Sequence, residues 1–158
     1  MAPDLIQDET SEQPPASPAD IRLAAMNYLA RREHTKKELL QKLKRRFSDM
    51  ALLRAEIQRL ADENLQSDKR FAESFVHYRS GLGFGLLRIR QDMRQRGLSD
   101  FEIYLAVDTV GVDWRAVAEA AYRKKFGAAP PVGIREKARR FRFMQYRGFA
   151  SDEYRHLA

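Results

Sequence analysis

Met93-Arg94-Gln95-Arg96-Gly97-Leu98-Ser99 returns 51 residues later as Met144-Gln145-Tyr146-Arg147-Gly148-Phe149-Ala150. A third, worn copy lies about 50 residues upstream, at Leu43-Lys44-Arg45-Arg46-Phe47-Ser48. Self-similarity at a fixed period marks one small unit used several times. The Arg-Gly pair also says where a helix of that unit stops. Glycine takes the left-handed conformation past a helix end without steric penalty, and the apolar residue after it covers the end. Leu98 and Phe149 stand in that covering position. The first copy has Phe47 where glycine belongs, so its turn must close differently. An array of such units has extended faces and no obvious pocket, which favours binding over catalysis.

Working outward from the repeat, each unit resolves into three helices. Ser17-Pro18-Ala19-Asp20 is a helix entry: a hydroxyl cap, a proline at the first turn and an acid at the positive end of the dipole. Ile21, Ala25 and Leu29 carry that helix to about Arg32. Thr35-Lys36-Lys37-Glu38 and Ser99-Asp100-Phe101-Glu102 are capping boxes. The first opens a helix with Leu39, Leu40 and Leu43; the second opens one filled by Ile103, Leu105, Ala106 and Val110. Leu52, Leu53, Ile57 and Leu60 mark a helix ending near Asn64. Phe71, Phe75 and Tyr78 mark another, before the glycines at 81, 83 and 85. Ala118, Tyr122 and Phe126 sit at i, i+4, i+8; Ile134, Ala138 and Phe141 follow; Ser151 is placed to cap a last short helix. No segment alternates in the manner of a strand. The expected fold is all-α, an elongated array of three tandem three-helix repeats at 20–65, 66–111 and 112–158. It follows a disordered, acidic, proline-rich tail at 1–19.

Composition narrows the function. The chain of 158 residues has no cysteine, which excludes disulfides and thiolate zinc sites, and no apolar run of membrane length. The cytoplasm is the expected location. The net charge is +7, but the four acids at 4, 8, 9 and 12 face no Lys or Arg within residues 1–19, so residues 20–158 carry +11. Such a surplus points to an acidic partner, nucleic acid first. The three histidines are scattered, and no nucleophile, base and acid fall together, so neither an enzyme nor a cofactor or metal is expected. The basic residues gather on the second helix of every unit. Lys36 and Lys37, then Arg88, Arg90, Arg94 and Arg96, then Arg139 and Arg142 are the expected partner-binding or DNA-binding residues. The aromatics Phe71, Phe75, Tyr122 and Phe126 have core spacing.

Ala30-Arg31-Arg32-Glu33-His34-Thr35-Lys36-Lys37-Glu38-Leu39 resembles the opening of the RecX family of bacterial regulatory proteins. So does Asp68-Lys69-Arg70-Phe71-Ala72-Glu73-Ser74-Phe75-Val76, with Gly83-Phe84-Gly85 and the stretch from Arg88 to Gly97. Lys137-Ala138-Arg139-Arg140-Phe141 and Arg147-Gly148-Phe149 fit as well. The resemblance covers roughly residues 20–158. It implies tandem three-helix repeats, no enzymatic activity, and a protein that lodges in the groove of a RecA filament on single-stranded DNA; a monomer is expected, with no membrane partner. It implies restraint of filament growth, ATP hydrolysis and strand exchange. The alternative is a DNA-binding helical repeat that acts without RecA.

Overall fold

The computed structural model describes residues 15–158. The acidic tail expected at 1–19 lies outside these residues as far as residue 14. Among the described residues all regular structure is helical: α1 (Pro18–Leu29), α2 (Lys36–Leu43), α3 (Met50–Asp62), α4 (Asp68–Gly81), α5 (Leu86–Gln95), α6 (Asp100–Val110), α7 (Trp114–Phe126), α8 (Gly133–Arg147) and α9 (Ser151–Tyr154), closed by a 3₁₀ turn at Arg155–Leu157.

The helix starts are set by local chemistry. Ser17, Thr35 and Ser99 each accept an N–H three residues on, and the carboxylates of Asp20, Glu38 and Glu102 accept the cap residue's own N–H. Asp49, Ser67 and Asp113 cap α3, α4 and α7 through their side chains. The last cap departs from the sequence expectation. Ser151 is the first helical residue, and Ala150 holds the cap position. Glu153 alone satisfies that end, its carboxylate accepting the Ala150 N–H at 2.6 Å. Two other ends come earlier than periodicity implies, α1 at Leu29 and α3 at Asp62.

Each triplet closes on its own core. Ile21, Leu39, Leu43, Leu53 and Leu60 fill the first. Phe71, Val76, Ile89, Met93 and Ile103 fill the second. Ala118, Tyr122, Met144 and Phe149 fill the third. Burying each large aliphatic side chain stabilises the fold by about 1.5–3 kcal/mol. The register of the second helices is kept in all three units: Leu43, Met93 and Met144 are matched and wholly buried. Four residues earlier stand Leu39, Ile89 and Arg140, and the last is the exception. Arg140 reads as part of a basic face in the sequence, yet it is buried in a core position. It survives there because its guanidinium donates to the Tyr122 hydroxyl at 3.0 Å, the Ala129 carbonyl at 2.8 Å and Glu136 at 2.7 Å.

The repeated Arg-Gly ends its helices as the sequence implies. Gly97 and Gly148 have φ of +90° and +94°. Leu98 donates its N–H to the Met93 carbonyl and Phe149 to the Met144 carbonyl, both at 3.2 Å, and both side chains are buried. This is the paired closure that satisfies the last carbonyls of a helix. In the first unit no residue turns left-handed at the corresponding place. Phe47 donates straight to the Leu43 carbonyl at 2.9 Å and covers the helix end itself. The turn is one residue shorter, and Phe47 takes the part of Leu98 and Phe149. At its other end α8 starts early. The position eight residues before the matched Leu43 and Met93 is the cap, Thr35 or Gly85; eight before Met144 is Glu136, already inside the helix.

Candidate functional site

The second helices meet end to end. The C-terminus of α5 abuts the N-terminus of α2, where the Thr35 hydroxyl donates to the Arg96 carbonyl at 2.7 Å. The C-terminus of α8 abuts the N-terminus of α5, where the Gly85 N–H donates to the Arg147 carbonyl at 2.8 Å and the Leu87 N–H to the Gly148 carbonyl at 3.0 Å. Carbonyls at the tail of one helix are thus satisfied by a hydroxyl at the α5–α2 joint and by free N–H groups at the α8–α5 joint, and the partial charges at the meeting ends are opposite.

This arrangement sorts the expected binding arginines into two groups. Arg88 and Arg96 are committed to the joints. The Arg88 guanidinium stacks between the Phe84 and Tyr146 rings, 4.9 Å from each, and donates to the Tyr146 carbonyl. Arg96 lies 4.8 Å over Phe75 and pairs with Glu38 at 3.0 Å. Arg147 does likewise, over Phe84 and Phe143. Arg139 is exposed, with Glu136 at 4.0 Å. Arg94 pairs with Asp100 at 2.7 Å, both exposed. Arg90 and Arg142 make no ion pair among the described residues, and Lys36 donates to Gln58 at 3.0 Å.

Matched positions define one exposed row along the second helices. It comprises Lys37, Gln41 and Lys44 on α2; Leu87, Gln91 and Arg94 on α5; Ala138, Arg142 and Gln145 on α8. Every one of these nine is exposed, and each unit contributes a cation. The row is most basic in the first unit. There Lys36, Lys37 and Lys44 share an open groove of about 640 Å³ with Arg54 of α3, over a floor of Leu40, Met50 and Ile57. Its one acid, Asp68, is occupied by the Lys36 N–H and the Gln66 amide. Arg54 escaped the sequence reading because it lies on a third helix; the signal available was its place four residues before Gln58, on the side facing α2.

Just before α2, His34 is buried. Its Nδ1–H donates to the Arg32 carbonyl at 3.0 Å, and its Nε2 faces the Lys42 ammonium at 2.9 Å. Burial, with the nearby Arg32 and Lys42 charges, pushes the imidazole below its ordinary pKa. Lys42 is also pushed down, by burial and then by Arg32. The pair is a neutral imidazole accepting from an ammonium.

Three-helix units joined end to end, with cations along one exposed row, define a helical-repeat protein with an extended basic face. Comparison places it more closely. The family descriptions "RecX, first three-helix domain", "RecX, second three-helix domain" and "RecX, third three-helix domain" match residues 22–51, 67–106 and 113–155 in that order. The chain belongs to the RecX family. It is 45% identical over 148 residues to a regulatory protein RecX of Halorhodospira halophila, covering 94% of this chain and 91% of that one. It is 43% identical over 136 residues to one of Pseudomonas savastanoi pv. phaseolicola, covering 86% and 88%. The crystal structure of RecX from Lactobacillus salivarius shares the fold, with a TM-score of 0.67 at 22% identity over 89% of this chain and 93% of that one. A further crystal structure of a regulatory protein RecX gives 0.71 at 21% identity over 89% and 72%.

Proposed function

We propose that this chain is a regulatory protein that binds the RecA filament on single-stranded DNA and restrains its ATP hydrolysis, growth and strand exchange. The units divide at 65/66 and 111/112, and the chain acts as a cytoplasmic monomer without a cofactor. The observation that carries this reading is the exposed row along α2, α5 and α8, which repeats a cation in every unit. A helical filament presents acidic groups at regular intervals, and a surface with its own period can meet several at once. Lys37, Arg94 and Arg142 are the row's contact residues, with Lys36, Arg90 and Arg139 flanking; Arg88 and Arg96 hold the units in register. The test is RecA-dependent ATP hydrolysis on single-stranded DNA. Inhibition at near-stoichiometric amounts is expected, and its absence overturns the proposal.

The four-cation groove of the first unit favours a second reading, direct binding to DNA. Affinity for naked DNA would then fall steeply as salt rises, because each phosphate contact releases counterions. Negligible affinity at physiological salt removes this reading and leaves the first intact.

A further inference from the structure

Helix α6 has two apolar faces. Ile103 and Ala106 point into the core of the second unit and are buried. Phe101, Tyr104 and Leu105, at i, i+3 and i+4, point the opposite way and are 69%, 65% and 46% exposed. The sequence places Leu105 in the core; the structure turns it outward, because 105 lies half a turn from Ile103. Asp108 completes the stripe at i+7 from Phe101, and Glu102 flanks it; both are exposed.

The equivalent faces of the neighbouring units differ. Counted from their caps, Asp49 and Ser99, α3 carries Ala51, Arg54, Ala55 and Gln58 where α6 carries Phe101, Tyr104, Leu105 and Asp108. In the third unit, counted from Ala150, the same places hold Asp152, Arg155 and His156. The fold therefore does not demand an apolar outer face at this position. Only the middle unit has one, with Tyr104 in place of the cation Arg54 and the acid Asp108 in place of Gln58. A contiguous exposed apolar stripe marks an interaction surface.

We propose that the outward face of α6 is a protein-docking surface, taking a partner that presents a lysine or arginine among apolar side chains. The aliphatic and aromatic groups would fill against Phe101, Tyr104 and Leu105, and the cation would meet Asp108. Nucleic acid is a poor occupant: Asp108 and Glu102 repel phosphates at the place where a base would stack. Resting on the reading that this chain acts on a RecA filament, the assignment divides the work. The basic row meets the acidic groups of the filament, and α6 grips the filament protein through apolar contacts.

The test uses two variants of the full chain. Phe101→Ala with Leu105→Ala installs the residues already tolerated at the matched positions of α3. Asp108→Lys removes no packing and reverses the charge. Binding is read by fluorescence anisotropy against RecA filaments and, separately, against naked single-stranded DNA. Each variant is expected to lose filament affinity by about tenfold or more. The alanine variant should keep its DNA affinity and its thermal unfolding midpoint. Filament affinity within about twofold of the unaltered chain overturns the docking surface alone, a margin well short of a hot-spot loss. An unaltered chain that ignores filaments overturns the functional reading and this assignment together. A parallel loss of DNA affinity in the alanine variant hands the face to nucleic acid and overturns the proposal. So does self-association in sedimentation velocity that the alanine variant abolishes, since a second copy is then the occupant.

Discussion

The joint between the first and second units and the joint between the second and third do the same task with different chemistry. The first is made by side chains. Glu38 accepts from Arg32 at 2.9 Å and Arg96 at 3.0 Å while capping Thr35, Arg70 pairs with Glu33 at 3.0 Å, and Gln66 donates to the His34 carbonyl at 3.1 Å. The second is made by backbone and glycine. Gly85 and Gly148 approach so closely that a Cβ on Gly85 would stand 2.3 Å from the Gly148 oxygen. Around that contact the arginines stack on Phe84, Tyr146 and Phe143 instead of pairing with acids. Ion pairs at a partly exposed joint are screened by salt and tolerate substitution in small steps. A backbone contact at van der Waals limits does neither. The first joint is adjustable and the second is fixed.

The sharpest way to break this contrast is Gly148→Ala. A Cβ there stands 2.4 Å from the Arg88 Cβ and 2.6 Å from its backbone nitrogen, on a residue with φ +94°. A loss of about 3 kcal/mol or more is expected in chemical denaturation. Gly85→Ala has an ordinary φ of −85°, so its loss, about 2–3 kcal/mol, isolates the close approach. Neither loss should change with salt. Glu38→Gln should cost about 2 kcal/mol at low salt by breaking both arginine pairs of the first joint, and less as salt rises. Equal salt dependence in Glu38→Gln and Gly148→Ala would erase the distinction. Gly97→Ala is the milder counterpart of Gly148→Ala, because the obstruction is the Lys37 side chain, at 2.8 and 2.9 Å, and not backbone. A loss of about 1–2 kcal/mol is expected from the left-handed φ alone.

Acid probes the first joint from another direction. His34 faces Arg32, Lys42 and Glu38, and its pKa lies below the ordinary 6.5. The unfolded chain therefore takes up a proton that the folded chain refuses. Stability should hold above about pH 6.5 and fall as the pH drops below it. A flat profile from pH 7 to pH 5 would contradict the neutral imidazole. The smallest expected effect is Arg94→Ala. Its pair with Asp100 is exposed, so thermal unfolding should change by less than about 0.5 kcal/mol, while affinity for the acidic partner drops.

Much of this fold is legible in the sequence alone. The capping boxes at Thr35 and Ser99 use only residues three apart, and the glycine stops use six in a row. Such local chemistry reads directly from sequence. What did not read were the relations between units. Arg88 and Arg96 share a helix face with ordinary surface cations, and nothing nearby announces that Phe84, Tyr146 or Glu38 lies against them. Arg140 looks like Arg139, yet it occupies the place of Leu39 and Ile89, and only Tyr122, 18 residues away, and the Ala129 carbonyl make it tenable there. Leu105 shows the converse: an apolar residue one place from the core register reads as core yet faces outward.

The early start of α8 has a consequence for how large such an assembly can become. A unit is received at the head of a second helix, through the Thr35 hydroxyl in the first unit and the Gly85 and Leu87 amides in the second, and presented through the glycine at its tail. The middle unit has both. The first has the receiving head but, with Phe47 in place of glycine, no presenting tail. In the third the presenting tail is intact, while the head is buried under an extra turn whose residue Ile134 stands 87% exposed in solvent. An array extended in register would need a glycine tail on the first unit and an uncovered head on the third, and these two units have neither.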